Sequence, residues 1–140
     1  MGDATAVWKK GLSFTGSGAA SGFSLPMGAD SKAGGDNDGF RPSELVLVGL
    51  AGCTGMDVIS ILAKKRQQVT AFEVKVHGDT APNEPKRFTR FVVEYIVTGR
   101  EVDPAMVERA VELSETKYCT VMNTLRPGAP IERKITVLEG

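Results

Sequence analysis

The chemistry that this 140-residue chain can perform is restricted most by its two cysteines, Cys53 and Cys119. Together with the single histidine, His77, they provide too few ligands for a Cys/His zinc site. A serine-histidine-aspartate triad would depend on His77 alone. One cysteine pair is also no disulfide framework. Two thiols therefore remain, either as a redox-active pair or as two small buried apolar residues.

A redox-active pair needs a thiolate stabilised by a cation or a helix N-terminus, with the second thiol within reach. Cys119 is predicted to start a short helix and meets the helix condition. Cys53 lies well inside a longer helix, beyond the reach of its dipole, and needs a cation from elsewhere. Arg41 is the candidate cation, although it could equally be a solvated loop arginine. Glu44 could orient Arg41, or could only complement the dipole in the first helical turn.

The helix that carries Cys53 is predicted over Phe40–Gln67, with Pro42 in its first turn. Apolar residues cover every face of its first half, and Lys64–Arg66 suit its C-terminal end. A helix that is apolar on all sides must be buried on all sides. Because one small domain rarely encloses such a helix, the pattern predicts an oligomer with a shared core.

The remaining elements are short strands and two further helices. Strand patterns are predicted in five segments, and Asp103-Pro104 predicts the start of a helix over Ala105–Thr116. A turn is predicted at Gly16–Gly18. The order ββ-α-ββ-α-α-β predicts one α+β domain, residues 1–140, with mainly antiparallel sheets. The five strands are Thr5–Phe14, Gly22–Met27, Val69–Gly78, Phe88–Thr98 and Ile131–Leu138, and a short helix is predicted over Lys117–Leu125.

Composition limits the partners of the protein. The 17 basic and 17 acidic residues give a net charge of zero, which disfavours nucleic acid and anionic membranes as partners. No signal peptide is recognised in Met1–Lys10, and the apolar run Leu45–Cys53 is shorter than the roughly 20 residues that span a bilayer. We therefore expect a cytoplasmic protein. His77 is predicted on the polar face of a strand, and the glycine-rich segment Gly34–Gly39 lacks the end of a phosphate-binding loop.

The two cysteine segments resemble those of a known family. Phe40-Arg41-Pro42-Ser43-Glu44-Leu45, running into Gly52-Cys53-Thr54-Gly55-Met56-Asp57-Val58, resembles the central helix of the OsmC/Ohr proteins, the osmotically induced and organic-hydroperoxide-resistance proteins. Lys117-Tyr118-Cys119-Thr120-Val121-Met122-Asn123-Thr124-Leu125 is similar to the second cysteine motif of that family. The order of elements matches over nearly the whole chain.

This resemblance implies an intertwined homodimer with long central helices between two sheets. It also implies a thiol-dependent peroxidase that reduces organic hydroperoxides. Cys53 would be the peroxidatic residue and form a sulfenic acid, and Cys119 would condense with it to a disulfide. No bound cofactor is expected, because an external dithiol, such as a lipoyl group, would restore the thiols.

The chain departs from the hydroperoxide-resistance branch at two places. Ser43 stands where that branch has a glutamate after proline, and Glu44 follows one residue later, a rotation of about 100° on a helix. No arginine precedes Arg41, whereas that branch has one in an early hairpin loop. Two alternatives therefore stay open: a non-catalytic OsmC-like dimer that binds a small apolar ligand or partner, and a dithiol that acts in sulfur transfer.

Overall fold

The computed structural model describes residues 2–140 as an α+β fold with two three-stranded sheets and three α-helices. The chain divides into two compact units, one up to Val46 and one over Leu47–Gly140, which are described separately. The strands are β1 Ala4–Lys10, β2 Ser13–Gly18, β3 Ser24–Met27, β4 Gln68–Thr80, β5 Phe88–Arg100 and β6 Ile131–Glu139, and the helices are α1 Pro42–Lys64, α2 Pro104–Leu113 and α3 Thr120–Leu125.

The first unit contains the antiparallel sheet β1-β2-β3. The single strand predicted over Thr5–Phe14 is wrong, because the chain turns at Gly11, whose φ of 50° is left-handed and suits a tight hairpin. The turn predicted at Gly16–Gly18 is also wrong. These residues continue β2, the central strand, which pairs with a neighbour on each side. The second predicted strand is present, but it is shorter and begins at Ser24.

The second unit contains the sheet β4-β5-β6. The predicted hairpin is confirmed, since β4 and β5 pair in antiparallel register from Gln68↔Arg100 to Thr80↔Phe88. The last strand, β6, pairs in parallel with β5. A parallel neighbour requires a crossover, and α2 and α3 provide it. The sheets are therefore mainly antiparallel, as predicted.

Helix α1 provides the core of the second unit with a single row of side chains. Leu50, Thr54, Val58 and Leu62 are spaced four residues apart and are fully buried. They pack with buried residues of β5 and α2 in one apolar cluster. On β5 the buried positions alternate, as expected for a strand with one face in the core: Phe91, Val93, Tyr95 and Val97.

The opposite side of α1 remains uncovered in one chain. Val48 and Met56 are 52% and 73% exposed, so the helix is not enclosed as its apolar pattern requires. By length and composition, the 23 residues of α1 would suffice to cross a membrane, although the apolar run recognised in the sequence is shorter. The buried row identifies α1 instead as the core helix of this unit.

Candidate active site

Cys53 lies near the middle of α1, next to the buried row. Its side chain is half-buried, and the following residue, Thr54, points into the core. The helix holds this position because Leu50 and Val58 are buried on either side of Thr54. The Cys53 thiol is thereby placed at the edge of the core, where it has both a buried side and an accessible side.

Cys119 is fully buried and caps the N-terminus of α3. The helix predicted over Lys117–Leu125 therefore begins later, at Thr120. The preceding residues Ser114–Tyr118 form a π-helical turn that continues α2. The Cys119 backbone N–H donates to the Ser114 carbonyl at 2.9 Å, and the Cys119 sulfur accepts from the Met122 backbone N–H at 3.3 Å. Both contacts fix the position of the thiol.

The π-helical turn is held from outside by two long side chains. The Asn123 amide donates to the carbonyls of Cys119 and Glu115, at 2.8 and 3.1 Å. The Arg126 guanidinium also donates to the Glu115 carbonyl at 2.8 Å. The Glu115 carboxylate accepts from Arg133 at 3.2 Å, and its pKa is raised because partial burial outweighs the nearby arginines. Two side-chain donors thus satisfy the Glu115 carbonyl of the π-helical turn.

Besides burial, the side chain of the nearby Cys53 raises the pKa of the Cys119 thiol, and both residues are free thiols. Burial raises the pKa of Cys119 to about 11. The hydrogen bond from Met122 lowers this pKa, while the side chain of Cys53 and the charge of Asp57 raise it. Cys119 is therefore a protonated thiol at neutral pH, and its position at a helix N-terminus does not make it a thiolate.

A chain of hydroxyl groups lies beside the cysteines, and sequence reasoning did not identify it. The Thr54 hydroxyl lies 2.7 Å from the Tyr95 hydroxyl and 2.8 Å from the Ser114 hydroxyl. Ser114 donates in turn to the Asp57 carboxylate at 2.9 Å. Tyr95, Thr54 and Ser114 are fully buried, and burial raises the pKa of Tyr95 to about 12. The one signal in the sequence was a threonine in the apolar row of α1.

Asp57, at one end of the hydroxyl chain, lines a cavity. A cavity of about 300 Å³ is lined by Asp57, Ser60 and Lys64 of α1, and by Leu113 and Tyr118 of the opposite segment. The cavity combines one carboxylate, one ammonium group and an aromatic ring. The buried hydroxyl chain is thereby connected to a polar opening on the surface of the second unit.

Arg41 and Glu44, the other predicted site residues, lie at the beginning of α1 in the first unit. The Glu44 carboxylate accepts from the Arg41 backbone N–H at 3.0 Å, which caps the helix. The Arg41 guanidinium donates to the Gly39 carbonyl at 3.0 Å and to the Asn37 side chain. Glu44 therefore binds the backbone of Arg41, whereas the loop 37–39 binds its guanidinium.

The remaining predicted positions lie on the surface. His77 is exposed and pairs with Asp79 at 2.8 Å, which confirms its prediction as a surface residue. Lys64–Arg66 are exposed at the end of α1. Among residues 2–140, no group of three or more His, Cys, Asp and Glu side chains is arranged to hold a metal ion.

Comparison with known proteins agrees with this fold. The family described as OsmC-like protein matches residues 35–134. Protein YhfA of Escherichia coli K12 is 40% identical over 131 residues, which cover 94% of each chain. A hypothetical protein from Aquifex aeolicus is 25% identical with a TM-score of 0.87, covering 100% of this chain and 98% of its own.

A more distant structure shares the fold. The organic hydroperoxide resistance protein OsmC from Legionella pneumophila is 14% identical with a TM-score of 0.72, over 97% of this chain and 96% of its own. The family match covers well over half of the described residues and includes both cysteines. This protein is therefore a member of the OsmC-like family.

Proposed function

We propose that this protein is a cytoplasmic thiol-dependent peroxidase that reduces organic hydroperoxides. The family includes proteins named for organic hydroperoxide resistance, and the chain retains a cysteine in each of the two family motifs. The chain has no net charge that would attract an ion, which suits an uncharged substrate. Cys53 is the proposed peroxidatic residue and Cys119 the resolving residue.

The observation that supports this proposal is the contrast between two adjacent thiols. Cys53 is half-buried and keeps part of its surface in contact with solvent, whereas Cys119 is fully buried near it. A peroxidatic thiol must meet its substrate, while a resolving thiol needs only to meet the oxidised partner. The arrangement therefore supports different roles for the two residues.

In the first step the Cys53 thiolate attacks one oxygen of the hydroperoxide. An S–O bond forms, the O–O bond breaks, and the alkoxide leaves as an alcohol after taking a proton. Cys53 is oxidised to the sulfenic acid, and the hydroperoxide is reduced. The thiolate needs a nearby cation. Arg41 stays the predicted candidate, with its backbone bound by Glu44 and its guanidinium bound by the loop 37–39.

In the second step the Cys119 thiol attacks the Cys53 sulfur. The S–S bond forms, the S–OH bond breaks, and the thiol proton leaves with the hydroxide as water. An external dithiol then attacks the disulfide and is itself oxidised to a disulfide. Because Cys119 is fully buried, this attack is expected at the Cys53 sulfur, which leaves Cys119 as the first thiol restored.

The decisive experiment is a turnover assay with cumene hydroperoxide and a dithiol such as dihydrolipoamide. The unchanged protein is expected to turn over, and Cys53→Ser is expected to be inactive. Cys119→Ser should form one sulfenic acid per chain, detected by a dimedone adduct at Cys53. Turnover of the unchanged protein no faster than that of Cys53→Ser would exclude the peroxidase function.

We also propose that the protein is a homodimer, assembled over the uncovered side of α1. An apolar groove of about 420 Å³ runs along this side between α1 and the edge of β4, lined by Val48, Gly52, Met56, Ile59 and Phe72. The small residues in the groove allow another backbone to approach closely. A second copy is the proposed occupant, because a two-fold dimer brings the same surface of each chain together.

Sedimentation of a groove variant tests the dimer. Met56→Glu places a charge in the groove and is expected to give monomers. Ala105→Glu, which places the same charge at an exposed position of α2 outside the groove, is expected to leave dimers. A monomeric unchanged protein, or a dimer that survives Met56→Glu, would contradict this assembly.

One observation favours a second function, a non-catalytic dimer that binds a small apolar ligand. The first unit has an apolar recess of about 520 Å³, lined by Phe23, Leu25, Met27 and Leu45 among others. This function predicts that both cysteines stay reduced when the protein meets one equivalent of peroxide. A Cys53–Cys119 crosslink found by mass spectrometry under that condition would reject it.

A further inference from the structure

Ser114 is connected to both cysteines, through two different groups. Its carbonyl accepts the Cys119 backbone N–H at 2.9 Å across the π-helical turn. Its hydroxyl lies 2.8 Å from the hydroxyl of Thr54, the residue next to Cys53. One residue therefore joins the backbone that carries the buried thiol to the helix that carries the accessible one.

The hydrogen bonds in the hydroxyl chain all run in one direction. A carboxylate only accepts, so the single proton of Ser114 is donated to Asp57. The Ser114 oxygen then accepts from Thr54, and the Thr54 oxygen accepts from Tyr95. Tyr95, at the beginning of the hydroxyl chain, only donates. Thr54 and Ser114 each accept one hydrogen bond and donate one, and the hydroxyl chain ends on the Asp57 carboxylate. Such a chain is strengthened along its length and has no second arrangement of its protons.

The hydroxyl chain links three elements of the second unit. Tyr95 is in the central strand β5, Thr54 and Asp57 are in α1, and Ser114 begins the π-helical turn. A π-helical turn is a locally widened helix and is often found at functional sites. Here the widening carries Cys119 away from the regular path of α2, and the Ser114 hydroxyl ties its first residue to α1.

We propose that Thr54 and Ser114 are positioning residues that hold Cys119 against Cys53, and so set the rate of disulfide formation relative to the rate of Cys53 oxidation. The inference rests on the proposed function, because that function supplies the hydroperoxide as the natural oxidant of Cys53. When Cys119 is held in place, its sulfur attacks the Cys53 sulfenic acid and water leaves. When it is displaced, the sulfenic acid persists, and a second hydroperoxide oxidises it to the sulfinic acid while being reduced to the alcohol.

The experiment compares two rates in single-turnover reactions with cumene hydroperoxide. Loss of the Cys53 thiol reports the first step, and appearance of the Cys53–Cys119 disulfide, measured by mass spectrometry, reports the second. Thr54→Val and Ser114→Ala are each expected to slow the second step about tenfold and the first step by less than about twofold. Sulfinic acid at Cys53 should increase in both variants.

Matched variants separate positioning from a general loss of structure. Thr54→Ser keeps the hydroxyl and is expected to restore the ratio of the two rates, although it loses a methyl group in the core. Thr70→Val removes an exposed hydroxyl from β4, outside the site, and is expected to change neither rate. Circular dichroism and thermal unfolding of every variant show whether it is folded at the temperature of the assay.

A second oxidant makes the inference independent of peroxidase activity. Diamide oxidises two adjacent thiols to a disulfide and is itself reduced to the hydrazine, without any sulfenic acid. If hydroperoxide leaves Cys53 unchanged but diamide forms the disulfide about tenfold more slowly in folded Ser114→Ala, the proposed function fails and the positioning role stands. Folded Thr54→Val and Ser114→Ala proteins that form the disulfide at the unchanged rate with either oxidant would overturn the inference.

Discussion

The two sheets of this protein have the same number of strands but opposite relations to solvent. Every residue of β1 in the first sheet is exposed, and Val7 and Trp8 are 59% and 62% exposed. On β5, at the centre of the second sheet, Phe91 and Tyr95 are at most 1% exposed. Helices of its own unit cover the second sheet, while the apolar side chains of the first face outward.

This difference separates stability from assembly. The second sheet gains its apolar burial within one chain, and it holds Tyr95 in contact with the helix that carries Cys53. Apolar side chains on the first sheet gain burial only when something covers them. We therefore expect substitutions in the second sheet to change the free energy of unfolding, and substitutions in the first to change association.

The largest effect is expected from truncation of the second sheet's core. Phe91→Ala removes a buried ring that packs 5.1 Å from the ring of Phe88, and should lower the free energy of unfolding by about 3–5 kcal/mol. Trp8→Ala on the first sheet is the matched control and should cost less than about 0.5 kcal/mol in the monomeric chain. Urea unfolding measures both, and equal losses would contradict the comparison.

The next effect comes from a glycine at the end of the second sheet. A Cβ at Gly99 would lie 2.2 Å from the Gln68 carbonyl oxygen and 2.5 Å from Val102, so Gly99→Ala should destabilise the protein by about 1–3 kcal/mol. Gly49→Ala on the uncovered side of α1 has no heavy atom within 4 Å, and should stabilise the helix by about 0.5–1 kcal/mol. Thermal unfolding of the two variants should shift in opposite directions. Because the proposed dimer covers this side of α1, the gain is expected in the monomeric Met56→Glu background, and a loss of stability there would contradict the prediction.

A smaller change in the free energy of unfolding is expected at alkaline pH, and it comes from two residues of the second unit. The pKa of Cys119 is raised by burial from 9.0 to about 11, and that of Tyr95 from 10.0 to about 12. The folded state keeps these protons when the unfolded state has lost them. Stability from both groups is therefore fully present below pH 9 and declines as pH rises toward 12.

Single variants divide this alkaline decline. Cys119→Ser should remove the part that begins near pH 9, and Tyr95→Phe the part that begins near pH 10. The first unit has neither cysteine nor tyrosine, so it has no buried thiol or phenol that could contribute to this decline. Urea unfolding at a series of pH values gives the measurement. An unchanged pH dependence in both variants would refute the assignment to these two buried groups.

The smallest effect is expected on the outer face of the second sheet. Arg90 pairs with Asp79 at 2.9 Å and also with Glu132. These two ion pairs join the three strands through exposed side chains. Arg90→Gln should lower the midpoint of thermal unfolding slightly at low salt, because exposed ion pairs are weak and screened. The difference should vanish near 1 M salt, where the screening length is about 3 Å. A loss that persists at high salt would indicate a role other than ion pairing.

Much of this fold could be predicted from local patterns. Alternation along β4 and β5 predicted their hairpin, and Asp103 before Pro104 predicted the start of α2, where the Asp103 side chain indeed accepts from the Ala105 N–H. The first 30 residues were harder, because the turn at Gly11 interrupts an alternation that otherwise continues. Glycines in β2 resemble a turn in sequence, although pairing on both sides makes them a strand.

The candidate site could be predicted only in part. The two cysteine motifs identified Cys53 and Cys119, and the fold does bring their side chains together. The hydroxyl chain could not be predicted, because Tyr95, Thr54 and Ser114 are far apart in sequence and each is ordinary in its own segment. Only the packing of β5 and the π-helical turn against α1 places their hydroxyl groups within hydrogen-bond distance.

The sequence by itself determined most of the elements, a candidate pair of thiols and an apolar helix in need of cover. These depend on residue type and on spacing along the chain, which local sterics and apolar periodicity translate into structure. The tertiary structure decided that Cys119 is buried as a protonated thiol while Cys53 is accessible. Burial and hydrogen bonding between distant segments control these properties, because desolvation and contact depend on what surrounds a thiol in space.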